Sequence, residues 1–185
     1  MVLFQTPSSL EPSRFFETFA ELAREYRDSE PGDFARVFPN PFLLQMSGAE
    51  RDPSLESHFS TKLGRDVVGA SSEDLLKLPI HLVVNSGRGS IRDMVTVGRS
   101  RSNDICLDLP NVSKFHAFFK KIGMDWWLTD CNSTNGSYVS GRRLEPRKGH
   151  IVSEAAQLSF DRAPLLIFKQ SASVYETIQL VRHLL

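Results

Sequence analysis

Gly98-Arg99-Ser100, Val112-Ser113-Lys114-Phe115-His116-Ala117, Asp130-Cys131-Asn132-Ser133-Thr134-Asn135-Gly136 and Val139-Ser140-Gly141 follow one another in that order. Each block is a turn-forming cluster set between short apolar runs. The runs are Ile80–Val84, Met94–Val97, Asp104–Leu107, His116–Ile122, Trp126–Asp130, Ser137–Val139, Ile151-Val152, Leu158–Phe160 and Leu165–Phe168. They are rich in β-branched and aromatic residues, and turn signals recur roughly every 8–12 residues, which predicts an all-β sandwich. Asn85-Ser86-Gly87-Arg88-Gly89-Ser90 is a turn cluster, and Gly123-Met124-Asp125 is the bend of a hairpin. A lone Gly-Arg or Ser-x-x-His carries no information; four blocks in sequence do.

Together the four blocks resemble the forkhead-associated (FHA) domain, a module that binds phosphothreonine in partner proteins. The family pattern is a Gly-Arg pair, a Ser-x-x-His about a dozen residues later, a Ser-Thr-Asn-Gly turn, and a hairpin ending on a small residue and glycine. The resemblance covers about residues 80–170 and leaves 1–75 unread. It implies a mainly β fold: an FHA-type β-sandwich of short antiparallel strands. There are two departures. Gly149-His150 stands where the family usually carries Gly-Asp, and Glu154–Ala163 lacks the usual tight glycine turn.

A phosphothreonine site must hold a dianion on an extended peptide, which calls for a fixed guanidinium, neutral donors and backbone N–H groups. The resemblance assigns Arg99, after the turn at Gly98, to the phosphate, and Ser113 as a hydroxyl donor to it. Lys114 stands where the family often has another basic or polar residue, and either adds charge to the pocket or faces solvent. Thr134 contributes phosphate or pocket contacts, and the Asn135 amide pins the ligand backbone just beyond the phosphothreonine. Gly98, His116 and Gly136 support the site, and Ser133 supports the loop. Asn135-Gly136 is a strong turn dipeptide in its own right. His116, with Ser113 and Asp130 near, invites a catalytic reading. In the family the matching histidine ties loops together, and no nucleophile-elbow sequence accompanies it. Arg101 and Arg142 lie toward the ligand in the family. Lys120, Lys121 and Arg143 are further cations nearby.

Outside the motif block the pattern changes. Phe15, Phe16, Phe19, Leu22, Ala23 and Tyr26 recur at helical spacing, with Ser13 as N-cap, and predict a helix over about 14–28 ended by Pro31-Gly32. Phe38-Pro39-Asn40-Pro41-Phe42-Leu43-Leu44 is apolar but broken by prolines, so it wraps a surface or forms one short strand. A short helix is expected at Glu73–Lys77. Val174, Ile178, Val181 and Leu185 predict a C-terminal helix over 173–184, capped by Ser171 or Ser173. The expected organisation is an extension over 1–77, the sandwich over 78–170 and the terminal helix over 171–185.

The chain has 185 residues, 41% of them apolar, enough for a core. Its formal net charge is zero, against the basic excess of a nucleic-acid binder. Residues 1–78 carry 8 basic and 13 acidic side chains, whereas 99–148 carry 9 basic and 5 acidic. The basic excess therefore lies on the motif segment. Trp126-Trp127 could serve as a stacking platform, but on an alternating strand one of the two faces inward as core. Cys106 and Cys131 lack zinc-ligand spacing and read as reduced thiols, and the five histidines are scattered, so neither metal nor cofactor is implied. The start of the chain lacks a signal peptide's basic and apolar regions, and no run reaches a membrane span, so a cytoplasmic protein is expected.

The leading expectation is a non-catalytic adaptor in Ser/Thr kinase signalling, its partner a phosphothreonine-containing protein, a kinase or a kinase substrate. The alternative is an assembly domain with an unused pocket, its terminal helices building an oligomer. An enzyme is disfavoured, because the sequence offers no nucleotide-binding glycine loop. Thr6 before Pro7 is a kinase-accessible threonine; in some bacterial relatives of the family a phosphorylated leader occupies the domain's own pocket, but the threonine-rich leader of those relatives is absent from this sequence.

Overall fold

The computed structural model describes residues 16–46, 72–88, 91–161 and 165–185. Two sheets face each other, and a layer of helices covers one of them. The elements are α1 (Phe19–Tyr26), α2 (Pro31–Val37), β1 (Phe42–Met46), α3 (Ser72–Leu76), β2 (Ile80–Leu82), β3 (Val95–Gly98), β4 (Ile105–Cys106), β5 (Ala117–Ile122), β6 (Asp125–Asp130), β7 (Ser137–Val139), β8 (Arg142–Arg143), β9 (Gly149–Val152), β10 (Gln157–Phe160), β11 (Leu165–Lys169) and α4 (Ser171–Val181). A 3₁₀ turn over Arg182–Leu184 ends the chain. One sheet has the order β2-β1-β11-β10-β7-β8, the other β4-β3-β5-β6-β9. The mainly β sandwich with helices at both ends is therefore present.

Alternation divides the core in two. Leu43 on β1 and Leu166 and Phe168 on β11 face the space between the sheets, with Val97, Phe119, Trp126, Leu128, Leu158 and Phe160. Their neighbours Phe42, Leu44 and Ile167 face the other way, into the helix layer, with Phe19, Leu22, Tyr26, Phe34, Val174 and Ile178. β1 and β11 are thus buried on both faces, a pattern that reads as a continuous apolar run. The terminal helices spend their apolar stripes on this sheet. Tyr175 Oη donates to Ser29 O at 2.7 Å, Gln179 Nε2 donates to Arg27 O at 3.1 Å, and Arg182 pairs with Asp28.

The first helix begins later than its periodicity predicts. Ser13 and Phe15 lie outside the described residues, and Thr18 is the N-cap, accepting from Glu21 N–H at 3.4 Å. Thr18-Phe19-Ala20-Glu21 is a capping-box sequence, and the residues just before it are extended: Thr18 bridges Pro79, and Ile80 N–H donates to Glu17 O. Pro31 starts a helix rather than only ending one, because its fixed φ and missing N–H suit the first helical position. The proline-broken segment supplies a strand, β1, which lies between β2 and β11. At the C-terminus neither Ser171 nor Ser173 is the cap. Gln170 is, and its N–H goes 2.6 Å to Glu154 Oε2, whose other oxygen pairs with the buried Lys169 at 3.1 Å.

Turns match their chemistry. Gly123, with φ +63°, opens the two-residue β5–β6 bend. Ser140 and Gly141, both at positive φ, close the β7–β8 bend as a type I′ turn requires. Where the usual glycine turn is missing, Ala155 and Asp161 take φ +61° and +74° themselves. β3 and β4 run parallel, unlike the other pairs, with Val97 opposite Ile105.

Candidate functional site

Three loops meet at one end of the sandwich: 99–104 after β3, 107–116 before β5, and 131–136 between β6 and β7. The pairings Val97–Ala117 and Ala117–Asp130 bring their strand ends into line. Gly98 makes the first junction possible. A Cβ there would stand 2.5 Å from Lys114 O and 2.9 Å from Asn103 Nδ2, closer than any side chain tolerates. Asn103 Nδ2 donates to both Ser100 O and Lys114 O, at 2.8 and 2.7 Å, and so clamps the first two loops together.

Arg99 is exposed and lies along the second loop. Its backbone N–H donates to Ser113 O at 2.9 Å and its Nε to Val112 O at 3.2 Å. Among the described residues no carboxylate pairs with it. Ser113 Oγ accepts the N–H of Thr134 at 3.2 Å and donates to Thr134 Oγ1 at 3.4 Å. Arg99, Ser113 and Thr134 are therefore brought together. Lys114 is exposed beside them, its carbonyl taking Ser100 N–H at 3.2 Å. Asn135 sits at the far side of the third loop, its Nδ2 donating to Asn111 O at 2.8 Å. Gly136 follows at φ +87°, with the Arg143 side chain packed over it.

Beneath the loops His116 is fully buried. Ser113 N–H donates to its Nδ1 at 3.0 Å, so the proton of the neutral ring is on Nε2, which donates to Gly136 O at 3.2 Å. Burial holds its pKa below the ordinary histidine value, outweighing the bond to Gly136 O and the charges of Asp130 and Asp161. The Nδ1 lone pair is taken by a backbone N–H, not by the Ser113 hydroxyl. The ring joins two loops and activates no nucleophile.

Asp130 anchors the third loop. Its carboxylate accepts from Ser133 N–H at 3.0 Å, Ser133 Oγ at 2.7 Å and Ser137 Oγ at 2.6 Å. Burial alone would raise its pKa, but these bonds and the nearby His116 outweigh burial and leave it lowered. Ser133 Oγ also takes Gly136 N–H at 3.0 Å, a loop-holding geometry. Asp104 does the same for the first loop. It accepts from Thr96 N and Oγ1 and from Ser86 N and Oγ, all at 2.8 Å, and its pKa is again lowered against burial. Burial, aided by Asp130, pushes the Cys131 thiol up to about 11, which keeps it protonated. Both cysteines are free.

The outer layer thus presents an exposed guanidinium, ammonium and Thr134 hydroxyl, with the half-buried Ser113 hydroxyl and Asn135 amide, over a buried layer that fixes them. That set suits an anion on an extended chain. The motif blocks yielded the outer layer. They missed the supports Asn103, Asp104, Asn111, Ser137 and Asp161. Asn103-Asp104, an Asx pair at the foot of a strand, carried a local signal; Asp161 carried none. Trp126 faces the core, and Trp127 lies on the outer face against Gly149.

The family model for the FHA domain matches residues 95–161. The DNA damage response protein kinase DUN1 of Saccharomyces cerevisiae is 34% identical over 89 residues, 44% of this chain and 17% of the kinase, so this chain spans under a fifth of that relative's length. An oxoglutarate dehydrogenase inhibitor of Corynebacterium efficiens is 28% identical over 139 residues, covering 74% of this chain and 89% of the inhibitor. Among solved structures, an engineered FHA with a Myc-pTBD peptide superposes with a TM-score of 0.48 at 15% identity, covering 75% of this chain and 97% of that one.

Proposed function

We propose, from the premise that residues 95–161 form an FHA domain, a non-catalytic phosphothreonine-binding module, that this chain is an adaptor in Ser/Thr kinase signalling. The observation that carries the reading is the Arg99 guanidinium, exposed and unpaired with any described carboxylate beside the linked Ser113 and Thr134 hydroxyls. Arg99, Ser113, Thr134 and Lys114 take the phosphate, and Asn135 takes the backbone beyond it. The partner is a phosphorylated kinase or kinase substrate, met in the cytoplasm. The threonine methyl is worth about 1–3 kcal/mol in an apolar niche, so phosphothreonine is preferred over phosphoserine rather than bound exclusively.

The test is an oriented phosphothreonine peptide library offered to the native protein and to Arg99→Ala. Selective binding lost in the variant is the expected result, and the enriched flanks then identify partners. A folded native protein that ignores phosphate would overturn the reading.

A further inference from the structure

Asp161 closes a ring around the recognition loop. It follows β10, whose Phe160 pairs with Ser137. Its N–H donates 2.9 Å to Gly136 O, the same oxygen that takes the His116 ring proton. Its carboxylate accepts from Asn111 Nδ2 at 3.3 Å, and Asn111 O accepts from Asn135 Nδ2 at 2.8 Å. The circuit runs Gly136, Asp161, Asn111, Asn135 and back along the chain to Gly136. One residue so holds both ends of the Asn135-Gly136 step, through its backbone on one side and its side chain on the other.

The backbone of Asp161 is not relaxed. Its φ of +74° lies in the left-handed region, which glycine enters freely and aspartate more readily than most side chains, at some cost. What distinguishes Asp161 from a glycine at this φ is its carboxylate. What its side chain supplies is the grip on Asn111, and through it the orientation of the Asn135 amide. With one Nδ2 hydrogen held by Asn111, the remaining hydrogen and Oδ1 have a defined direction.

We infer that Asp161 is a positioning residue for ligand binding: it sets the Asn135 amide for the peptide backbone on the C-terminal side of the phosphothreonine. This rests on the proposed binding function. It assigns to Asp161 the part of the affinity that depends on residues after the phosphate, and none of the phosphate affinity.

Substitution at this φ separates the grip from the strain. Asp161→Gly relieves the backbone and deletes the carboxylate; Asp161→Asn tolerates the conformation and retains an acceptor for Asn111. The ligands are a phosphothreonine peptide selected from the library and the same peptide ending at the phosphothreonine. For the full peptide, Asp161→Gly is expected to bind about three- to tenfold more weakly, the range of one hydrogen bond. The truncated peptide should bind both proteins alike, the melting temperature of Asp161→Gly should equal or exceed the native value, and Asp161→Asn should restore binding of the full peptide. Equal affinity of Asp161→Gly and native protein for the full peptide would overturn the inference, as would an equal loss for both peptides. A second readout needs no ligand: the Asn135 side-chain amide resonances should shift in Asp161→Gly and stay in Asp161→Asn. Unmoved resonances defeat the clamp itself, whereas moved resonances in a protein blind to every phosphopeptide defeat the binding function instead.

Discussion

His116 uses both ring nitrogens on the loops it joins, and its protonation state follows from that. A second proton would have to displace Ser113 N–H from Nδ1. Its folded pKa is lowered, while the unfolded chain titrates near about 6.5. The unfolded state therefore binds more protons below that pH, and stability must fall as pH drops through the window beneath it. His81, also lowered by burial, acts in the same direction. Melting temperatures between pH 7.5 and pH 5 should decline in the native protein, and the slope should be shallower in His116→Asn. An unchanged slope would mean that His116 does not set it. Asp130 and Asp104, also lowered, follow carboxylate logic: their contribution holds above about 3.9 and is lost only below it. Asp130→Ala strands the buried Ser137 donor and the half-buried Ser133 donor and should cost about 2–4 kcal/mol in urea unfolding. Gly98, Arg99, Ser113, His116, Thr134, Asn135 and Gly136 could be singled out because each belongs to a short block of local sequence, and the structure gathers them at one end of the sandwich; their part in binding is the proposal. Asp161 could not be singled out, since its partner Asn111 lies 50 positions away and a left-handed aspartate leaves no sequence mark.

The elements divide along the same line. Hairpins marked by Gly123 and Gly141 could be read directly, because the turn type demands those residues. The parallel pairing of β4 could not, since two residues carry no direction. The cap of α4 was unreadable for a different reason: the N–H of the cap residue Gln170 is met by Glu154, two strands earlier in the chain. α1 starts later than the apolar period predicts because Glu17 and Thr18 are extended and bridge to Pro79-Ile80 instead. Two substitutions test these elements. Ile178→Ala opens a cavity between α4 and the sheet and should cost about 2–5 kcal/mol in chemical denaturation. Gly98→Ala drives a methyl against Lys114 O and should cost about 1–3 kcal/mol, with a loss of peptide binding as the loop shifts.

Across the whole molecule, charge separates by region: the first 78 residues are net acidic and the motif segment net basic. Under the proposed function an anionic peptide meets the net basic segment, so its association rate should fall several-fold as salt rises from about 0.05 to 0.5 M, while dissociation changes little. Stopped-flow mixing with a labelled phosphopeptide measures both. A rate indifferent to salt would show that the charges do not steer. The two cores share a wall, for β1 and β11 bury side chains on either side. That wall lies outside the segment 95–161, and β1 lies outside 78–170 as well. Excised at its motif boundaries, the recognition unit would lose three of six strands from one sheet and leave β10 a raw edge. Its portability is therefore lower than its motifs suggest: moved into another protein, the loops would travel without the wall that keeps them in shape.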